Sequence, residues 1–153
     1  MPKPATEYRS GRHCVFQLHA HLIFTPKYRR RVFEGVHIEA MREIFTRVCE
    51  GFHVELTEFN GESDHVHLLV NFPPSLELSK LINSLKGVSS RLLRKQFPEL
   101  EDRYWKNVLW SRSYFAASCG GAPLEIIRQY VEKLYRNLLI AFVIFEVGQL
   151  PRY

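Results

Sequence analysis

The sequence predicts an α+β domain in which an antiparallel sheet is covered by helices, with elements in the order β-α-β-β-α-β and one further helix at the C-terminal end. Three observations carry this. Apolar residues at three- and four-residue spacing mark the helices, runs rich in β-branched and aromatic residues mark the strands, and the two patterns alternate along the chain. With 153 residues, 46% of them hydrophobic and 24% charged, the chain suits a single domain spanning 1–153 with its own core.

The segment from His13 to Thr25 is rich in β-formers and ends at Pro26, as a strand should. Residues 1–11 precede it as an arm. Ile38, Met41, Phe45 and Val48 mark an amphipathic helix that ends near Gly51. His53 to Phe59 alternates and Asp64 to Phe72 is apolar, so Asn60-Gly61 between them predicts a hairpin turn. A second helix should start at Ser75, carry the stripe Leu78, Leu81, Ile82, Leu85, Val88 and Leu92, and stop before Pro98. Leu109 to Ser118 reads as a strand, Gly120-Gly121 as a turn, and Pro123 as the first residue of the last helix. The order is the ferredoxin-like one, which hosts many functions, so function must be read from sites.

Composition excludes several classes. The longest apolar run, Leu138 to Phe145, falls short of the roughly 20 residues a membrane helix needs, and the N-terminus lacks a secretory pattern. A cytoplasmic protein without a membrane partner is expected. Cys14, Cys49 and Cys119 are odd in number and far apart, which predicts buried, reduced thiols rather than disulfides or a zinc knuckle. The net charge is +5, and seven basic residues between Lys3 and Arg31 face only Glu7. Such clustering beside aromatic residues suits a polyanionic partner.

Asp64-His65-Val66-His67-Leu68-Leu69-Val70 is the most informative segment. Alternation on a strand puts His65 and His67 on one face, about 7 Å apart, where two imidazoles can converge on one ion. Zinc, manganese and magnesium all remain open. His19-Ala20-His21 repeats the spacing. On the last helix Leu124, Ile127, Val131, Leu134 and Leu138 form the core stripe, and Tyr130 sits on its shoulder. A boundary tyrosine with a wetted hydroxyl explains that position; so does a nucleophile. A phenol with pKa near 10 is about 0.1% ionised at pH 7, so a nucleophilic Tyr130 needs a cation or base nearby, such as Lys133 or a histidine-bound ion.

Lys27-Tyr28-Arg29-Arg30-Arg31 sets an aromatic ring within a basic run, a combination that stacks bases and binds phosphates. Lys80, Arg91, Arg94 and Lys95 fall on one side of the second helix, which Lys86-Gly87 and Ser89-Ser90 extend with small donors and a close-approach glycine. Trp105, Trp110, Arg112 and Tyr114 continue the aromatic and basic mixture.

In order along the chain stand His21-Leu-Ile-Phe-Thr-Pro-Lys-Tyr-Arg-Arg, Asp64-His-Val-His-Leu-Leu, Leu85-Lys-Gly-Val-Ser-Ser-Arg, Leu109-Trp-Ser-Arg-Ser-Tyr, and Gly120-Gly-Ala-Pro through Gln129-Tyr-Val-Glu. From about Val15 to Leu134 this resembles the single-tyrosine HUH (His-hydrophobic-His) transposases, the TnpA-like family of insertion sequences that move as single-stranded DNA. The resemblance selects His65 and His67 as ligands of Mg²⁺ or Mn²⁺ and Tyr130 as the nucleophile. Tyr130 would attack a phosphodiester, form a 5′-phosphotyrosine and release a 3′-hydroxyl. It also implies single-stranded DNA with hairpins at the element ends as partner, and a homodimer whose tyrosine helices act in trans. Lys27, Tyr28, Arg29, Arg30, Lys86, Ser89, Arg91, Trp110, Arg112 and Tyr114 would hold the DNA.

Two features depart from that pattern. The family commonly places a metal-binding glutamine one helical turn after the tyrosine, where this chain has Leu134, which cannot ligate. The tail 138–153 is more apolar than usual. A nucleic-acid-binding module without catalysis is therefore the main alternative; a hydrolase of small phosphoesters, the third, would require a solvent-filled pocket and no basic track, and the lysine and arginine distribution disfavours it.

Overall fold

The computed structural model describes residues 8–103 and 108–118. Two short strands, β1 (Arg9–Ser10) and β2 (Val15–Phe16), pair as a small antiparallel ribbon. The main body follows as β3 (His19–Phe24), α1 (Gly35–Gly51), β4 (Glu55–Glu62), β5 (His65–Asn71), α2 (Leu78–Gln96) and β6 (Phe115–Ser118). The sheet order is β4-β5-β3-β6 with every neighbour antiparallel. The first and third strands of the predicted order therefore sit side by side at the centre, and each helix crosses over one intervening strand. This is the expected ferredoxin-like α+β arrangement. The Gly120-Gly121 turn, the last helix and the apolar tail lie outside the described residues.

The helices dock because one face of each is apolar and one face of the sheet is too. Leu22 and Phe24 of β3, Phe59 of β4 and Val66, Leu68 and Val70 of β5 bury against Met41 and Phe45 of α1 and Leu81, Ile82, Leu85 and Leu93 of α2. Phe45 meets Phe24 and Phe59 edge-on, with ring centroids 6.2 and 5.4 Å away. Arg94 and Lys95 in the last turn of α2 complement its dipole. Among the described residues, no helix is long and apolar enough to cross a membrane.

Four boundaries differ from the expectation. The strand expected over His13–Thr25 breaks at Gln17-Leu18, and the arm is anchored: Arg9 donates to the carbonyls of Asn71 and His53 and pairs with Glu55 at 3.5 Å. Asn60-Gly61 is strand, not turn; they pair with His67 and Val66, and Ser63-Asp64 turns the chain instead. A Cβ at 61 would lie 2.6 Å from Ile38 Cδ1 and 3.0 Å from Val66 Cγ1, so a larger residue fits only if those side chains give way. Helix α2 begins at Leu78, after Glu77 rather than Ser75. The last strand is shorter than 109–118: Trp110 bridges Pro26, Ser111 N–H donates to the Thr25 carbonyl at 2.8 Å, and regular pairing resumes only at Phe115. Of the cysteines, Cys49 is buried, with its thiol pushed up to about 12 by that burial, whereas Cys14 is exposed and Cys119 lies outside the described residues.

Candidate metal centre and nucleic-acid interface

Because Val66 and Leu68 face the helices, β5 turns His65 and His67 to the opposite face of the sheet. Their rings lie side by side, centroids 6.3 Å apart and planes inclined by 29°. Antiparallel pairing sets Ile23 opposite His67 and His21 opposite Leu69, so His21 stands diagonal to His67. The two rings meet edge-on at 5.7 Å. His21 thus joins the histidine cluster, which its position two residues from His19 did not distinguish in the sequence.

The site grades from buried to open: His67 and Asp64 are half-buried and Glu62 is exposed. His65 is 2% and His21 4% exposed. Burial first, and the neighbouring His67 second, push the His21 imidazole down to about 4. Burial and then His65 lower that of His67, against an opposing pull from Glu62. Both rings are therefore neutral near pH 7, the form that ligates cations. His21 Nε2 is buried with no hydrogen-bond partner among the described residues.

Carboxylates enter from the adjoining turn. His65 Nδ1 lies 2.7 Å from Asp64 Oδ1, and Arg29 Nε lies 3.1 Å from Asp64 Oδ2. Glu62 pairs with His65 across the strands, and the donor atoms of Glu62, Asp64 and His65 all lie within 4.8 Å of one another. Among the described residues His67 belongs to no such three-residue group. Neutral imidazoles beside carboxylate oxygens fit a divalent cation such as Mn²⁺, Mg²⁺ or Zn²⁺. Asp64 and Glu62 were not anticipated. The signal was there: one residue precedes His65, and the other falls opposite it once the hairpin register is known.

The basic segment after β3 forms a tight hook. Tyr28 and Arg29 both take left-handed backbone, with φ of 60° and 51°. The Lys27 ammonium and the Arg30 guanidinium lie over the exposed Tyr28 ring at 5.5 and 5.8 Å. Arg112 and Tyr114 are exposed between the Pro26-Trp110 bridge and β6. Arg91 is exposed on α2, five residues and so about 140° round the helix from Lys86.

Two of the expected DNA contacts must be corrected. Ser89 is 0% and Trp110 5% exposed, and they satisfy each other, Trp110 Nε1 donating to Ser89 Oγ at 2.9 Å. Trp110 packs on Phe24 and Phe33 in the core. Lys86 is half-buried; its ammonium donates to the Ser111 and Ser113 carbonyls at 2.8 and 3.1 Å and lies over the rings of Phe24 and Tyr114. It holds the 111–114 segment in place. Among the described residues, nothing beyond the helix's own backbone lies within 4 Å of a Cβ placed on Gly87. Trp105, Tyr130 and Leu134 lie outside the described residues.

A histidine-lined sheet face lies beside a basic, aromatic hook, chemistry that suits a cation and a polyanion. The family model described as "Transposase IS200 like" matches residues 14–134. The chain belongs to this family of DNA transposases. It is 34% identical over 118 residues to the transposase of insertion sequence element IS200 from Salmonella typhimurium, covering 77% of this chain and 78% of that one. To the ISDra2 transposase TnpA of Deinococcus radiodurans it is 30% identical over 126 residues, covering 82% and 90%. Among solved structures, a presumed transposase from Deinococcus radiodurans superposes with a TM-score of 0.70 at 28% identity, covering 84% of this chain and 96% of that chain. A REP-associated tyrosine transposase bound to a REP hairpin shares the fold, with a TM-score of 0.56 at 14% identity, covering 94% and 80%.

Proposed function

We propose that this transposase cleaves and rejoins single-stranded DNA at insertion-sequence ends in the cytoplasm, through a 5′-phosphotyrosine on Tyr130. The observation that supports it best is the pair His65 and His67, side by side on the sheet face away from the helices and next to the basic hook. His65 and His67 would hold Mg²⁺ or Mn²⁺, with the Glu62 and Asp64 carboxylates beside His65. When bound, the cation polarises the attacked phosphate.

The Tyr130 oxygen attacks phosphorus, its proton leaves to a base or solvent, and the P–O bond to the 3′ oxygen breaks to give a 3′-hydroxyl. That hydroxyl, or another strand's, later attacks the phosphotyrosine and restores the tyrosine. The phosphodiester bond energy is conserved, so no nucleotide is consumed. Lys27, Tyr28, Arg30, Arg91, Arg112 and Tyr114 grip hairpin and single strand, and Lys86 shapes the surface that Arg112 and Tyr114 present. Two copies act as a homodimer with tyrosine helices exchanged in trans. The REP hairpin in the structural neighbour supports hairpins as the DNA form.

Incubation with hairpin-bearing single-stranded element ends and Mn²⁺ gives a covalent adduct on denaturing gels that Tyr130→Phe abolishes. Absence of any adduct with wild-type protein rejects the reading. Leu134, one helical turn past Tyr130 where the family commonly has glutamine, favours a second reading: a hairpin-binding module without catalysis. That module binds equally well in EDTA and after His65→Ala or His67→Ala.

A further inference from the structure

The geometry points to Arg29 as a positioning residue for the cation-binding imidazole rather than a contact for DNA. Its guanidinium holds Asp64, Asp64 holds the Nδ1–H of His65, and His65 Nε2 is thereby presented to the cation. The inference rests on the reading of His65 as a metal ligand.

The two oxygens of one carboxylate are divided between two partners: Oδ2 stands 3.1 Å from Arg29 Nε, and Oδ1 stands 2.7 Å from His65 Nδ1. An ionised carboxylate only accepts hydrogen bonds, so Nδ1 must carry the proton of a neutral ring, which leaves the lone pair on Nε2. The side chains of Arg29 and Asp64 are each 22% exposed and that of His65 is 3%. So little water strengthens the charge interactions relative to an open surface.

The backbone explains why Arg29 turns inward while its neighbours do not. Left-handed φ at two successive non-glycine residues is unfavourable and persists only where the surroundings hold it. Arg29 N–H donates to the Pro26 carbonyl at 2.8 Å. Val32 and Phe33 N–H both donate to the Ser63 carbonyl, at 2.8 and 3.0 Å, clamping the chain beyond the hook onto the β4–β5 turn that carries Asp64. The hook is thus split: Lys27 and Arg30 lie over the outward ring of Tyr28, and Arg29 faces the turn. Arg29 meets Asp64 through one atom, Nε, as an ion pair with a single carboxylate oxygen, so it is chiefly the charge that holds Asp64.

The test uses the full chain without DNA, titrated with Mn²⁺ and followed by electron paramagnetic resonance. Asp64→Ala weakens Mn²⁺ binding about 10-fold or more, the usual cost of losing the partner of a ligating histidine, and Arg29→Gln, which leaves that carboxylate present but unheld, weakens it measurably but less. Arg29→Lys, which keeps the charge, recovers part of the loss. In metal-free wild-type protein, ¹⁵N imidazole spectra show His65 as the Nδ1–H tautomer, and Arg29→Gln shifts it toward a mixture. Arg30→Gln leaves Mn²⁺ affinity alone but weakens binding of a hairpin oligonucleotide in EDTA, whereas Arg29→Gln leaves that binding within about 2-fold. Wild-type Mn²⁺ affinity in Arg29→Gln, or an Nε2–H tautomer at His65 in the wild type, overturns the inference and leaves the metal site standing. No Mn²⁺ binding by the wild type removes the metal site and the inference with it.

Discussion

At the scale of single residues, side chains of similar chemistry divide by what surrounds them. Ser89 and Trp110 look like DNA-binding residues in a list of polar and aromatic side chains, yet the hydrogen bond between them is fully enclosed. Removing the acceptor strands a buried indole N–H. Ser89→Ala should therefore cost about 1–3 kcal/mol, read as a lower midpoint in urea unfolding. Ser89→Ala combined with Trp110→Phe removes both partners, so its loss should be smaller than the sum of the two single losses. A fully additive double mutant would show that the pair is not coupled. The same contrast separates Arg29 from Arg30: one sequence run holds a residue turned onto Asp64 and a residue turned onto the exposed face of Tyr28.

At the scale of elements, period-2 and period-3.6 patterns were enough to place the four strands of the main sheet and both described helices, because burial of one face dictates them. Ends were harder, since they depend on tertiary contacts that no local pattern encodes. Asn60-Gly61 has the composition of a hairpin turn, but Gly61 is where β4 passes beneath Ile38 of α1, and the strand continues to Glu62. The histidine pair was legible through its alternation. The participation of His21 was not, because it depends on which strand lies beside β5 and in what register. The glycine offers a direct check. Gly61→Ala should destabilise the protein by about 1–3 kcal/mol through overpacking against Val66 and Ile38. Ile38→Val, which shortens the nearer neighbour by the methyl in the way, should recover part of that loss. Equal thermal midpoints for Gly61→Ala and wild type would show that Ile38 moves aside at no cost and that the close approach does not select glycine.

At the scale of the whole molecule, the +5 charge is informative only once the cations are sorted by what already holds them. Arg9 is tied to Glu55, Arg42 to Glu39 and the Phe59 carbonyl, Arg103 to Glu34 and the Val32 carbonyl, and Lys80 to Glu77. Lys27, Arg30, Arg91 and Arg112 make no ion pair among the described residues. Lys27 and Arg30 are already gathered round an aromatic ring that can take a base. A phosphate that displaces counterions at such a residue leaves its mark on the salt dependence of binding, with a slope in log K against log salt of about −0.7 to −0.9 per contact. Arg30→Gln should therefore flatten the slope for a hairpin oligonucleotide by just under one and weaken binding across all sequences alike. Arg42→Gln, whose charge is spent on Glu39, should leave the slope where it was. Fluorescence anisotropy between about 50 and 200 mM salt spans the range in which such slopes are read. An Arg30→Gln slope equal to the wild-type one would place the DNA elsewhere on the surface, and Arg112→Gln and Arg91→Gln measured in the same way would then say on which side of the sheet it lies.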